Sequence, residues 1–561
     1  MLGRSLTFLL SLVLLISLQT FGDDTKSAGG NPDLAAADQL YNSGKFAEAA
    51  DKYQAILKAD PKLVAAQVGV IRCLLREQKI DDAFMTASSA LAAQPNSPPL
   101  MAVMGAVHFR RGEMTDAETS YMKAVKTDPQ LVAAYLGLAR VYRAYSLYRH
   151  AYDEVQAAYK IAPNDPEVQR AWFRQGSQQQ QIAAIEAYLA APRGDTPEQI
   201  ANLQQHLAYL KALADKPAHA CRLVNKVEQT EAKLEPMLHD PTHAFGEGLV
   251  VKLNDHNARL LLDTGAGGIT VGHKAAEKAG LTRISNMSFR GVGDKGPQSG
   301  YLAVADHIRV GELEFSDCVV VVSDRNSVAD EDGLMGADVF RSYLIDIDMP
   351  NLKLRLSQLP KRPDETAVPT GLSTTTEEAS GDSEGKAEAA EEEQSASGDK
   401  TNSSATPPPR LPHDRYVAPE MAKWTPVFRF GHALLIPTHV NDSPSMLFLI
   451  DTGATANMIS RQAASHVTKV STDPYSHVKG VNGSVSNVYR ADKATLTFAH
   501  LRQKNLDMIA FDLSNLSRGF GTEVSGTLGF NLLSMLQVKI DYRDGLVDFV
   551  YNANRFGTGY P

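Results

Sequence analysis

The sequence predicts a multidomain protein, an N-terminal all-α arm of helical repeats followed by two all-β lobes built on one plan. Three observations carry this. Alanines and prolines recur every 34 residues through the N-terminal part of the chain. The tetrapeptide Asp-Thr-Gly-Ala occurs twice, at 263–266 and 451–454, each time behind an apolar strand. Between the two copies lies an acidic stretch without aromatic residues, which reads as a linker.

The chain has 561 residues, enough for about three to five domains. Hydrophobic residues make up 43% and charged residues 22%, an ordinary globular balance that excludes collagen and a wholly disordered chain. The net charge of −9 is local: Pro363 to Pro409 holds eleven Asp/Glu and two Lys, so the rest of the chain sums to zero. No basic face is left for nucleic acid. Cys73, Cys221 and Cys318 are far apart and lack metal-ligand spacing. They read as buried small hydrophobes with no disulfide framework.

Residues 1–22 read as a secretory signal peptide: Arg4, an apolar run from Leu6 to Leu18, and the small residues Thr20 and Gly22 before a cut at Asp23. The expectation is an exported protein, periplasmic or secreted, without stable membrane insertion after cleavage.

The repeat follows. Ala49, Ala83, Ala117 and Ala151 are 34 apart, as are Pro61, Pro95, Pro129 and Pro163, with Pro197 continuing the series. Two helices and two turns fill such a period. Small alanines suit close helix crossings, and prolines suit positions just past a helix end. Segments such as GKFAEAADKYQAILKADP resemble tetratricopeptide repeats, well over residues 31–165 and more faintly to 235. The resemblance implies a concave face for a peptide or protein partner, or a spacer. The arm is expected to span 31–235 and to fold alone. The stretch 360–412 cannot bury enough apolar surface to offset chain entropy, so disorder is expected there.

The two remaining blocks, 240–359 and 413–555, agree beyond the tetrapeptide. Leu260 to Ala266 matches Phe448 to Ala454. Glycine-bearing hairpin tips follow, Gly291 and Gly293 in the first and Gly480 and Gly483 in the second. Gly336 and Gly529 each precede a short apolar helical stretch, and Asp348 and Asp541 stand twelve residues further on. One ancestral unit has been duplicated.

This pattern resembles the aspartic protease superfamily, specifically the single-lobe retropepsin-like type. The resemblance implies two lobes facing each other across a two-fold axis, each contributing one catalytic aspartate, Asp263 and Asp451. Carboxylates this close share a proton, so that one activates water while the other donates to the peptide carbonyl. Thr264 and Thr452 suit hydroxyl contacts that lock the loops. Gly265 and Gly453 let N–H groups approach the carboxylates, and Gly336 and Gly529 let a strand pass behind each loop without a Cβ. The four tip glycines would belong to flaps. In the family a polar residue follows the tetrapeptide; Thr455 fits and Gly267 does not.

Other residues point elsewhere. Pro241 between His239 and His243 breaks the helix that a metal pair would need, which leaves a loop and no metal site. Asp346, Asp348 and Asp541 read as turn residues at strand ends, and Arg290 and Lys479 as solvated. The sequence thus reads as an exported aspartic endopeptidase acting on an extended polypeptide, without a cofactor. A non-catalytic peptide-binding scaffold, favoured by Gly267, and a protease active only between chains are the alternatives.

Overall fold

The computed structural model describes residues 31–190, 195–214, 221–225, 227–240, 243–289, 292–295, 298–326, 328, 331–363, 412–480 and 483–551. The signal-peptide reading, Arg290, Gly291 and nearly all of the acidic linker fall outside these residues. Among the described residues no helix is long and apolar enough to cross a membrane.

The arm is a stack of antiparallel helices: α1 (Pro32–Asn42), α2 (Phe46–Ala59), α3 (Val64–Arg76), α4 (Ile80–Ala93), α5 (Pro98–Arg110), α6 (Met114–Thr127), α7 (Val132–Ala144) and α8 (Tyr148–Ile161). Less regular helices follow, α9 (Pro166–Phe173), α10 (Gln178–Ala190) and α11 (Pro197–Ala214). The register alanines sit on the even helices and are 0–2% exposed, so a larger side chain has nowhere to go. Tyr121 of α6 lies across Gly105 and Gly137 of the flanking helices, where a Cβ would collide with its ring. Each odd-to-even turn from α1 to α8 has one left-handed residue. Gly44 and Gly112 supply it at φ +79° and +78°, and Gln78 and Ser146 take it at the same register with φ 62° and 58°. A non-glycine residue pays about 1–2 kcal/mol there, so the fold holds the turn even where the glycine signal is missing. Pro197 departs from its series: it opens α11 rather than following a helix.

The arm does not stand apart. Phe109, Met114, Tyr121, Leu138 and Val141 form one apolar cluster with Phe430, Leu435, Leu447, Phe520 and Val524 of the second lobe. The chain reinforces this contact: Glu523 N–H donates to Arg110 O at 2.9 Å, and the Thr522 hydroxyl donates to Phe109 O at 2.7 Å. The carboxylate of Asp414 accepts from the N–H groups of Arg149 and His150 at the start of α8. The expected self-contained arm is therefore replaced by one whose middle helices share their core with a lobe.

The two lobes have the same circular strand order. In the first, 243–253, 256–263, 333–336, 269–272, 313–323 and 298–310 pair in succession and close on the first strand. In the second, the ring is 433–440, 446–450, 526–528, 458–460, 501–511 and 489–498. A further sheet joins the lobes, running 425–426, 546–551, 536–541, 343–348, 353–358, 229–233. Its central pairing sets Ile345 opposite Ile540 and Ile347 opposite Val538, so the two lobes of a single chain meet through a hydrogen-bonded ladder.

Four expectations need correction. Residues 222–223 and 229–233, placed by the repeat reading in the arm, are strands of the lobe sheets, because their apolar positions pair with 313–323 and 353–358. Cys221 and Cys318 form a disulfide across 97 residues, brought together by the pairing of Arg222 with Ser316; Cys73 is free and buried. His239 and His243 lie on two paired strands, 235–240 and 243–253, rather than in a loop. Asp346 is a mid-strand residue held by Gln537 and Arg355, whereas Asp348 and Asp541 do anchor turns through Asn351 and the N–H of Asp544.

Candidate active site

The strands 256–263 and 446–450 each run parallel to a short strand, 333–336 and 526–528, and release the chain into the Asp-Thr-Gly-Ala loop. The apolar run before each aspartate is buried on both faces, as a central strand requires. The two loops meet head to head. Thr264 N–H donates to the Thr452 hydroxyl at 3.0 Å, and Thr452 N–H to the Thr264 hydroxyl at 3.0 Å. Each hydroxyl in turn donates to the opposite strand, Thr264 to Ile450 O at 2.8 Å and Thr452 to Leu262 O at 2.7 Å. Both threonines are buried.

This lock places Asp263 and Asp451 side by side, within hydrogen-bonding reach of each other. A Cβ on Gly265 would lie 2.7 Å from the Asp451 carboxyl carbon, and one on Gly453 would collide with the Asp263 carboxyl. Only glycine lets each loop come so close to the other lobe's acid. The same glycines orient their own lobe's acid: Gly265 N–H donates to Asp263 Oδ1 at 2.8 Å, Gly453 N–H to Asp451 Oδ1 at 3.0 Å, and Ala454 N–H to Asp451 Oδ1 at 2.9 Å.

The electrostatics are unequal. Burial raises the Asp263 carboxyl above the ordinary value, against the Gly265 N–H, the hydrogen bond with Asp451 and the neighbouring His432, which pull it down. Burial followed by the Asp263 charge raises Asp451 well above its ordinary value. Two adjacent acids cannot both ionise in a desolvated site, so the pair holds one proton between them.

Gly336 and Gly529 lie against the backbone of the two loops. A Cβ on Gly336 would be 2.5 Å from Ala266 O, and one on Gly529 would be 2.8 Å from Ala454 O. Two bracing residues escaped the sequence reading. Asp338 Oδ1 accepts from Gly268 N–H at 2.9 Å, and Asn457 Oδ1 accepts from Gly529 N–H at 2.8 Å. Asp338 stands two residues after Gly336, but Asn457 is 72 residues from Gly529, so the sequence carries no signal for it.

The hairpin tips face each other. Gly480 abuts Val292, Gly483 abuts Lys295, and Asp294 accepts from the N–H and hydroxyl of Ser486. Gly293 takes φ 130° and Gly483 φ 92°, conformations reserved for glycine. A third missed residue stands at the mouth of the first loop: the His432 ring fills the place of the side chain that Gly267 lacks, with Nδ1 2.6 Å from where a Cβ would be.

Comparison with known proteins agrees with this geometry. A family model described as aspartyl protease matches residues 249–339 and 436–532, and one described as tetratricopeptide repeat matches 34–98. Curated relatives include the probable UDP-N-acetylglucosamine–peptide N-acetylglucosaminyltransferase SPINDLY of Arabidopsis thaliana, 34% identical over 103 residues, 18% of this chain and 11% of that protein. The UBA domain-containing protein Mud1 of Schizosaccharomyces pombe is 32% identical over 109 residues, 19% of this chain and 31% of its own. The chain thus spans less than a third of the length of either relative. Among solved structures, an aspartic proteinase from Irpex lacteus covers 59% of this chain and 99% of its own, at 11% identity and a TM-score of 0.32. The chain carries an aspartyl protease domain in two segments, preceded by N-terminal tetratricopeptide repeats.

Proposed function

We propose that the protein is an exported aspartic endopeptidase with one composite site per chain. The observation that carries this is the meeting of Asp263 and Asp451 through reciprocal threonine hydrogen bonds. With one proton between them, Asp263 as carboxylate takes a proton from a bound water whose oxygen attacks the peptide carbonyl carbon. Asp451 gives its proton to the carbonyl oxygen, which yields a tetrahedral diol. On collapse, the proton on Asp263 passes to the leaving nitrogen, a diol proton returns to Asp451, and the C–N bond breaks. One water is consumed, an acid and an amine leave, and the dyad regains its starting state.

The hairpin tips suit an extended substrate, which would lie as a strand beneath them with alternate side chains in opposite pockets. The repeat arm would recruit that polypeptide or a partner protein. Export is supported by the N-terminal apolar run and by the Cys221–Cys318 disulfide, a bond that persists in oxidising compartments. The scaffold alternative drew on Gly267, and the His432 ring fills the space which that glycine leaves.

The test is cleavage of a denatured protein substrate between about pH 3 and 7, the range where one proton is shared. Wild type should cleave, and Asp263→Asn and Asp451→Asn should each abolish cleavage; an inert wild type contradicts the peptidase. For export, the mature N-terminus found by mass spectrometry should be Asp23, and a cytosolic protein retaining Met1 contradicts it.

A further inference from the structure

The lobes repeat each other closely, yet a two-acid mechanism needs them to differ. Register identifies where they do. Gly248 pairs with Leu261 and Leu435 with Leu449, each partner two residues before its aspartate. Counting back three residues from Gly248 and Leu435 gives Phe245 and His432. Position for position, lobe 1 has a buried phenyl ring where lobe 2 has an imidazole.

His432 is the second residue of the two-residue turn between the strands 428–430 and 433–440, and its ring reaches lobe 1. Its ring occupies the space over Gly267, with Cγ 2.8 Å and Nδ1 2.6 Å from an added Cβ. Phe520 meets it edge-on, with centroids 6.4 Å apart at 64°, and Phe520 is itself buried against Phe430. The ring is thus held between one loop and one helix. Gly267 lies in the same tight turn as Asp263, whose Oδ1 is fixed by Gly265 N–H.

We propose that His432 is a positioning residue for the dyad: inserted from lobe 2 into the space left by Gly267, its imidazolium makes the two carboxyl groups inequivalent and holds Asp263 as the carboxylate, so that Asp263 is the base and Asp451 the acid. This deepens the peptidase reading and rests on it. Burial, the Gly265 N–H and the hydrogen bond with Asp451 act on Asp263 first and His432 lowers it further, whereas Asp451 responds to burial, the Asp263 charge and hydrogen bond, and the N–H groups of Ala454 and Gly453. Gly267 then ceases to be a lost polar residue and becomes the complement of a histidine on the other lobe.

Other ionisable groups packed around the ring do not supply this bias. Arg429, on the strand leading to His432, donates to Tyr542 O and the Tyr148 hydroxyl. Arg518, on the helix of Phe520, acts on Arg110 of the arm. Asp338 receives the Gly268 N–H, and the Tyr542 phenol is pushed well above its ordinary range by burial and stays neutral.

The experiment is the pH profile of kcat/KM for full-length wild type, His432→Phe and His432→Gln on a denatured protein substrate. Phe installs the lobe 1 residue, and Gln keeps a polar side chain without charge. Loss of the cation removes what lowers Asp263, so its ionisation moves up. Both variants should shift the acid limb upward by roughly one pH unit, the lower end of what a close opposite charge supplies. A second readout needs no activity. Gly267→Ser should lower the melting temperature in the wild-type background and be close to neutral in His432→Ala, because the ring it collides with is gone. An active wild type whose variants keep its acid limb, or a Gly267→Ser effect equal in both backgrounds, overturns this proposal alone. An inert wild type overturns the peptidase reading and this proposal with it.

Discussion

Thr264 and Thr452 exchange N–H-to-hydroxyl hydrogen bonds at 3.0 Å in both directions, so each loop is fixed by a residue of the other lobe. Every partner in this lock is buried. Thr452→Val keeps the shape but removes the acceptor for Thr264 N–H and the donor to Leu262 O. Leaving buried groups unpaired costs about 1–3 kcal/mol each. Urea unfolding should show a loss of about 2–6 kcal/mol for the two groups, and peptidase activity should fall with it because the carboxyl groups lose their alignment. Thr452→Ser, which retains the hydroxyl, should recover most of both.

Asp541 lies at the end of the sheet that joins the lobes and is about 1% exposed. Burial first, then the Asp544 carboxylate, pushes its carboxyl up to about 6. The folded state therefore binds a proton that the unfolded chain releases near 4, and stability falls as pH rises between about 4 and 6. About two units correspond to roughly 2–3 kcal/mol lost by pH 7. Asp541→Asn keeps an acceptor for the Asp544 N–H and should be more stable than wild type at pH 7 and nearly equal at pH 4. Paired urea titrations at the two pH values check this, and a variant less stable at pH 7 would contradict it.

Phe430 packs on both Phe109 of α5 and Phe520 of the lobe, with centroids 6.1 and 6.4 Å away. Truncation to Ala should cost about 3–5 kcal/mol and loosen arm and lobe together. Helical circular dichroism and Trp424 fluorescence, read in a Trp172→Phe background, should give coincident melts. Separate transitions would mean that the shared cluster is not energetically continuous.

The two Asp-Thr-Gly-Ala loops were legible because their signal is local: an apolar strand, then four residues, stated twice. Duplication made Thr264 with Thr452, and Gly336 with Gly529, readable as pairs. The repeat arm was legible from its 34-residue register, which survives at Gln78 and Ser146 in backbone conformation alone. What sequence could not show are partnerships between distant segments. Cys221 meets Cys318 only because the strand at 222–223 pairs across 313–323. His432 carries no motif of its own, and Gly267 read as a departure from the family pattern, because the two meet only across the lobes. The docking of α5–α8 was hidden because Phe430, Leu447 and Phe520 serve equally well as strand and helix core.

The central claim is that both carboxyl groups of the site belong to one chain, and complementation tests it most directly. Asp263→Asn and Asp451→Asn chains, each inert alone, are mixed, co-refolded and assayed on a denatured protein substrate. The inter-lobe sheet pairs 343–348 with 536–541 within a chain, so each variant carries its broken dyad with it and the mixture should remain inert. Wild-type activity per chain should also be constant across dilution. Recovery of activity in the mixture, or a specific activity that falls on dilution, would show that the site is assembled between chains.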